Sequence, residues 1–246
     1  VSVGDRPPAG RPTARRAWPA GWTVEHVTST GSTNADVLAT ASARRDRSVL
    51  VSNHQTAGRG RLDRRWDAPP GANLLASLLF HQVPDEPSNL TRRVGLAAVA
   101  AAASVAGVPA RLKWPNDVVV GGAKLAGILA QRSAAGSVVV GIGLNVRWAP
   151  EGAARLGTDA DPLDVLAALL HAYDGLPVDI GPAYRAALVT LGQRVRIERP
   201  ADVLEGTAVD VDPDGRLVVL DDRAVTYRLD VGDVIHVRPA ESTRRE

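Results

Sequence analysis

"ARLKWPNDVVVGGAKLAGILAQRS" (residues 110–133) sets short apolar runs on either side of Pro115-Asn116-Asp117 and again of Gly121-Gly122. Proline presets its own φ, Asn and Asp hydrogen-bond their own backbone, and glycine accepts positive φ, so both breaks read as turns. The stretch is therefore predicted as a hairpin carrying a second turn, which makes this part of the chain sheet. On its C-terminal side "SVVVGIGLNV" (137–146) reads as a further strand that doubles back through its two glycines. On its N-terminal side "SNLTRRVGLAAVAAAASVAG" (88–107) reads as a helix entered from a serine or asparagine cap. Strands are predicted at "SVLVSNHQ" (48–55) and "ANLLASLLF" (72–80), and a strand, turn and helix at 22–44, where Thr33 and Asp36 have capping-box spacing. Helical patterns recur at roughly 162–172 and 179–191.

After Gly192 the texture changes. "RVRIE", "LEGTAVDVD", "RLVVLDD", "AVTYRLD" and "DVIHVR" alternate with period two, and "DPDG" (212–215) is a turn signal. Short strands at this spacing point to a small barrel. The expected fold class is thus α/β (α+β): a mixed β-sheet flanked by helices, then a small C-terminal β-barrel. The expected division is a tail at 1–20, a main domain at 21–190, a barrel at 191–240 and a tail at 241–246.

Composition narrows the function classes. The 246 residues are 45% hydrophobic and 23% charged with a formal net charge of +2, the balance of a folded chain rather than a dedicated polyanion binder. The absence of cysteine removes disulfides, thiolate catalysis and cysteine-bound metals, and suits a reducing cytoplasm. No apolar run reaches the length of a membrane span; "GLAAVAAAASVAGV" (95–108), flanked by Arg92, Arg93 and Arg111, reads as a buried helix. There is no signal-peptide core. The Pro-, Gly- and Arg-rich residues 1–20 are too few for a helix-turn-helix.

The chemistry-bearing residues cluster in a few motifs. "HQTAGRGRLDRRW" (54–66) holds four arginines and two glycines and closes on Trp66. Gly58 and Gly60 let backbone approach a ligand, Arg59 and Arg61 are forked donors for phosphate or carboxylate, and Trp66 offers a stacking face. On these residues alone a solvated loop, a single-strand nucleic-acid segment and a clamp on a small anion all remain open. "KWPND" (113–117) adds Lys113 and Trp114 to a turn that needs neither. Lys124, in an otherwise apolar strand, either meets an anion or lies on an edge facing water. "GIGLNV" lacks the third glycine and following helix of a dinucleotide fingerprint, although Asn145 could still face a ligand. "GSTN" (31–34) is by itself a helix cap. No triad spacing or His-rich metal cluster is present, and His54, His171 and His236 stand isolated.

Taken together and in order, "GSTNAD", "HQTAGRGR…W", "KWPNDV", "KLAGIL" and "GIGLNV" resemble the biotin protein ligase family, over about residues 22 to 238. The resemblance implies a class II synthetase-type catalytic domain with an SH3-like C-terminal barrel, and a member of the monofunctional type without the DNA-binding domain. It implies that biotin and ATP form biotinyl-5′-AMP, which a lysine of a biotin carboxyl carrier domain of acyl-CoA carboxylase then attacks. Ser32, Thr33, Asn34 and Gln55 would hold the biotin ring. Arg59, Gly60 and Arg61 would form the adenylate loop, touching biotin as well. Arg64, Trp66, Lys113, Asn116, Asp117 and Asn145 would line the nucleotide, with Trp66 near adenine. Lys124 would lie between biotin carboxylate and α-phosphate, and Lys124, Arg61 and Asp117 are the catalytic candidates. Mg²⁺ would accompany ATP, with no metal-ligating residues assigned. The chain would be cytoplasmic, monomeric or homodimeric, and would bind neither DNA nor membrane. Rival readings are a lipoate or octanoate ligase or transferase of the same fold and, in another class, a nucleic-acid-binding protein. One departure stands out: the family pattern has glycine where this chain has Asp63.

Overall fold

The computed structural model describes residues 17–200, 202–230 and the backbone of 236–239. Residues 1–16 of the tail expected at 1–20, and the whole tail expected at 241–246, lie outside them. Trp18, inside the segment expected as a tail, packs against the core.

The large sheet has seven strands: β1 (Thr23–Val27), β2 (Ser48–Ser52), β3 (Leu74–Phe80), β4 (Arg111–Lys113), β5 (Asp117–Val120), β6 (Ala123–Arg132) and β7 (Val138–Leu144). Their spatial order is β1-β2-β3-β7-β6-β5-β4, with β1 and β2 parallel and every other pair antiparallel. β2 and β3 are buried along their whole length because helices cover both faces, which suits their unbroken apolar sequences. On one face lie α2 (Ser88–Ala106), α3 (Pro162–Asp174) and α4 (Gly181–Ala187), packed on Leu78, Ile128, Val140, Ile142 and Leu144. On the other lies short α1 (Thr33–Ala39), whose Val37 meets Leu50, Leu79 and Val139.

The helix ends differ from expectation in instructive ways. Ser32 is the N-cap of α1, its hydroxyl accepting from the Ala35 amide at 3.5 Å, while the Asp36 carboxylate accepts the Thr30 hydroxyl instead of closing a capping box. Helix α2 starts without a side-chain cap, because the Ser88 hydroxyl donates to the Asp214 carbonyl, and it ends at Gly107 with φ +65°. Helix α4 stops well short of the expected 191: Leu188 turns extended beside Leu112, and the Val189 amide donates to the Leu112 carbonyl at 2.8 Å.

"GIG" does not double back. Strand β7 runs straight through Gly141 and Gly143, paired on both sides. Strand β6 is flanked by β5 and β7, so Lys124 is not on an edge.

The second sheet comprises β8 (Arg194–Glu198), β9 (Val203–Val211), β10 (Leu217–Leu220), β11 (Thr226–Leu229) and β12 (His236–Pro239), in the order β11-β10-β9-β8-β12 and antiparallel throughout. Its inward residues Val195, Ile197, Val211, Leu217 and Val219 belong to the same continuous core as the large sheet.

Candidate active site

A cleft of about 530 Å³ opens on the large sheet beneath the 58–66 loop. Ser32, Thr33, Asn34, Gln55, Arg59, Gly60, Arg61, Arg64, Trp66, Lys113, Asn116, Asp117, Lys124 and Asn145 all line it. Five separate motifs of the sequence thus converge on one surface.

At one end the first turn of α1 is locked by polar bonds. The Gln55 carbonyl oxygen accepts from both the Thr33 amide (2.7 Å) and the Thr33 hydroxyl (3.0 Å). The Asn34 amide group donates to the Leu129 carbonyl (3.1 Å) and to Gln131 (2.9 Å), and its oxygen lies 2.6 Å from the fully buried Ser77 hydroxyl. Buried polar groups this well paired are held in one orientation, so this end is preformed.

The middle of the cleft is sheet stripped of side chains. Gly127 of β6 and Gly143 of β7 are direct register partners, and Gly141 lies two residues along from Gly143. A Cβ on Gly143 would come within 2.4 Å of the Trp66 indole, and one on Gly141 within 2.3 Å of the Asn34 amide oxygen. These glycines are needed for close approach, not for turning. Trp66 consequently packs against the floor, with its buried indole N–H unpartnered and the Lys124 ammonium 5.7 Å from the ring centroid.

Lys124 reaches this floor because of a β-bulge. Opposite β5 the register steps from Val118↔Ala126 to Val119↔Lys124, leaving Leu125 as an extra residue. Strict alternation would put Lys124 on the face opposite Gly127; the bulge turns it to the same face. Its ammonium there meets the Asp117 carboxylate at 2.6 Å. Half-buried Arg61 is held below the usual arginine pKa chiefly by burial, with Asp117 opposing that effect and Arg64 adding to it. One carboxylate therefore faces two cations.

The arginine segment is a miniature hairpin. The Trp66 amide donates to the Gly58 carbonyl (2.9 Å) and the Gly60 amide to the Arg64 carbonyl (2.6 Å). Gly58 is required because a Cβ would lie 2.4 Å from the Trp66 carbonyl. At the tip Leu62 and Asp63 are both left-handed, with φ of 56° and 54°. Asp63, at the position where the family pattern has glycine, pairs with Arg59 at 3.6 Å.

Two residues have their polar groups engaged by the fold. The Asn145 amide group donates to the Ala154 carbonyl at 3.0 Å and, more weakly, to Lys124 O at 3.4 Å, while its oxygen accepts from Asn73. Asn116 exchanges bonds with Ile128: its side chain donates to that carbonyl at 2.9 Å and its own carbonyl accepts that amide at 2.9 Å. Sequence reading missed Ser77, Gln131 and the glycine floor. The i, i+2 spacing of Gly141 and Gly143 was the available signal: in a strand it puts both on one face.

The chain belongs to the biotin/lipoate A/B protein ligase family, whose model matches residues 25–147, and the biotin protein ligase C-terminal domain model matches residues 190–237. A biotin–[acetyl-CoA-carboxylase] ligase of Mycobacterium tuberculosis is 39% identical over 246 residues, covering 89% of this chain and 91% of that protein. A bifunctional ligase/repressor of Bacillus subtilis is 39% identical over 110 residues, 42% of this chain and 33% of that protein. In fold, the chain resembles a biotin protein ligase of Aquifex aeolicus solved with biotin and ATP: TM-score 0.78 and 24% identity, over 89% of this chain and 99% of that one.

Proposed function

We propose that this protein is a biotin–[biotin carboxyl-carrier protein] ligase, which converts biotin and ATP to biotinyl-5′-AMP and diphosphate and then biotinylates a lysine of a carrier domain. The observation that carries this reading is the Lys124–Asp117 pair, 2.6 Å apart, beside a side-chain-free floor and a preformed polar end. The amide-rich end suits a ureido ring, and the glycine floor seats the Trp66 indole, the stacking face for adenine.

In the first step a carboxylate oxygen of biotin attacks the α-phosphorus of ATP and diphosphate leaves. Lys124 is placed where negative charge gathers on the α-phosphate, with Arg61 beside Asp117 as a second cation. Before substrate arrives, Asp117 balances both cations; substrate anions then take over that role. In the second step the acceptor's ε-amine attacks the acyl carbon and AMP leaves. Asp117, freed from Lys124, is the carboxylate positioned to take the ammonium proton. The nucleophile belongs to the acceptor, so the enzyme needs no nucleophile of its own. Arg59, Gly60, Arg61 and Arg64 cover the intermediate.

Mg²⁺ enters as the MgATP substrate. Among the described residues no group of three or more His, Cys, Asp or Glu gathers. No helix among the described residues is long and apolar enough to cross a membrane. We assign the activity to the cytoplasm, where a cysteine-free, ATP-using enzyme would operate.

The test is ATP–pyrophosphate exchange with MgATP and biotin, lipoate or octanoate. Exchange should require biotin and fall about a hundredfold or more in Lys124→Ala, the scale of removing one oxyanion-stabilising donor. Exchange supported by lipoate or octanoate instead would overturn the biotin assignment.

A further inference from the structure

We propose that the 212–215 turn of the second sheet is a positioning element for the Pro115–Asp117 corner of the cleft, acting through Trp114; the inference rests on the ligase reading above. Three successive carbonyls of this turn are each taken by a different side chain of the first domain. Arg92 Nη2 donates to Pro213 O at 3.1 Å, Ser88 Oγ to Asp214 O at 2.8 Å and Trp114 Nε1 to Gly215 O at 3.0 Å. A loop resting against a neighbour by chance does not present every carbonyl to a donor. This one is clasped.

The clasp is deeply built. Trp114 is 1% exposed and Arg92 7% exposed, so neither can exchange its bond for water without leaving a buried donor unpaired. Gly215 has φ +87°, and a Cβ there would lie 2.9 Å from Ser88 Oγ and 3.2 Å from Arg92 Nε. Both its backbone conformation and its surroundings therefore demand glycine.

Trp114 is the link to the chemistry. Its backbone amide donates to Thr190 Oγ1 at 2.9 Å, so main chain and indole are both tied to residues far along the chain. The next residues, Pro115, Asn116 and Asp117, all line the cleft, and Asp117 carries the ion pair with Lys124. A shift of the clasp would be passed to Asn116 and Asp117 through a rigid aromatic lever. The Ser32–Asn34 end hangs from α1 and Gln55, with no bond to this turn among the hydrogen bonds described. The clasp should thus govern ATP use without governing biotin binding.

The experiment uses the full chain with Gly215→Ala and Trp114→Phe. Biotin Kd is measured by calorimetry, and kcat and KM for ATP by biotin-dependent pyrophosphate exchange. Expected are a biotin Kd within about twofold of the parent and kcat/KM for ATP lowered about tenfold or more, where tenfold corresponds to about 1.4 kcal/mol. Trp114→Phe keeps a buried aromatic ring while removing the N–H together with part of the indole, so it carries the test if Gly215→Ala does not fold. ATP parameters unchanged in the folded variants, or biotin affinity lost in proportion to ATP use, would overturn the proposal. A parent protein silent in exchange would sink the ligase reading itself, whereas an active parent with indifferent variants sinks the clasp alone.

Discussion

Strands β6 and β7 make opposite demands on their two faces. On the helix side Ile128, Val140, Ile142 and Leu144 fill space against α2 and α3 and are at most 3% exposed. On the cleft side the alternate positions are Gly127, Gly141 and Gly143: Asn34 and Trp66 come so close that no Cβ fits at Gly141 or Gly143, and one at Gly127 would be tight against Lys124 and Trp66. The same backbone is thus core by bulk on one face and site by absence of bulk on the other. Stability and function are separated by a single step along the strand, which makes the comparison testable.

The largest stability effect is expected on the core face. Ile142→Ala should lower unfolding free energy by about 2–5 kcal/mol, the range for truncating a buried aliphatic side chain, with exchange activity per folded molecule unchanged. Urea denaturation read beside kinetics checks both parts. An activity loss at intact folding would break the separation of faces.

Gly143→Ala should do the reverse. Stability should stay within about 1 kcal/mol, because alanine suits a strand at least as well as glycine. The methyl group displaces Trp66 from the floor, and kcat/KM for biotin should fall about tenfold or more, the equivalent of about 1.4 kcal/mol. Wild-type kinetics in this variant would mean that the seat of Trp66 on the floor plays no part in the reaction.

The smallest effect is expected at the tip of the loop over that floor. Asp63→Gly releases a left-handed non-glycine residue, a conformation costing about 1–2 kcal/mol, against the greater chain entropy of glycine, for a net change below about 1 kcal/mol. It also removes the Arg59 partner. Retention of the adenylate, followed by release of labelled intermediate, is the sensitive readout; unchanged retention and unchanged rates of both half-reactions would deny Asp63 any special role.

Much of this was legible before the fold was known, for a local reason. Turn residues at 115–117 and 121–122, apolar runs on either side and the alternation after Gly192 act over a few residues, so strands and their order of appearance could be read directly. The misreadings share a cause. Gly141 and Gly143 look like a bend when only φ freedom is weighed; their purpose is set by Asn34 and Trp66, about a hundred residues and about eighty residues away in sequence. Residues 188–191 continue a helical pattern, yet pairing of Leu188 with Leu112 turns Leu188 extended and ends the helix there.

By itself the sequence determined the family, the strand and helix inventory and the cationic character of the 58–66 loop, because spacing and residue chemistry carry those. Only the tertiary structure decided which face Lys124 occupies, since that turns on Leu125 being unopposed across β5. It alone decided that Trp114 is tied to the 212–215 turn, since the indole's acceptor, Gly215, lies 101 residues away. Alternation along a strand is written locally; a bulge and a long-range hydrogen bond exist only when the partner strand or turn is in place.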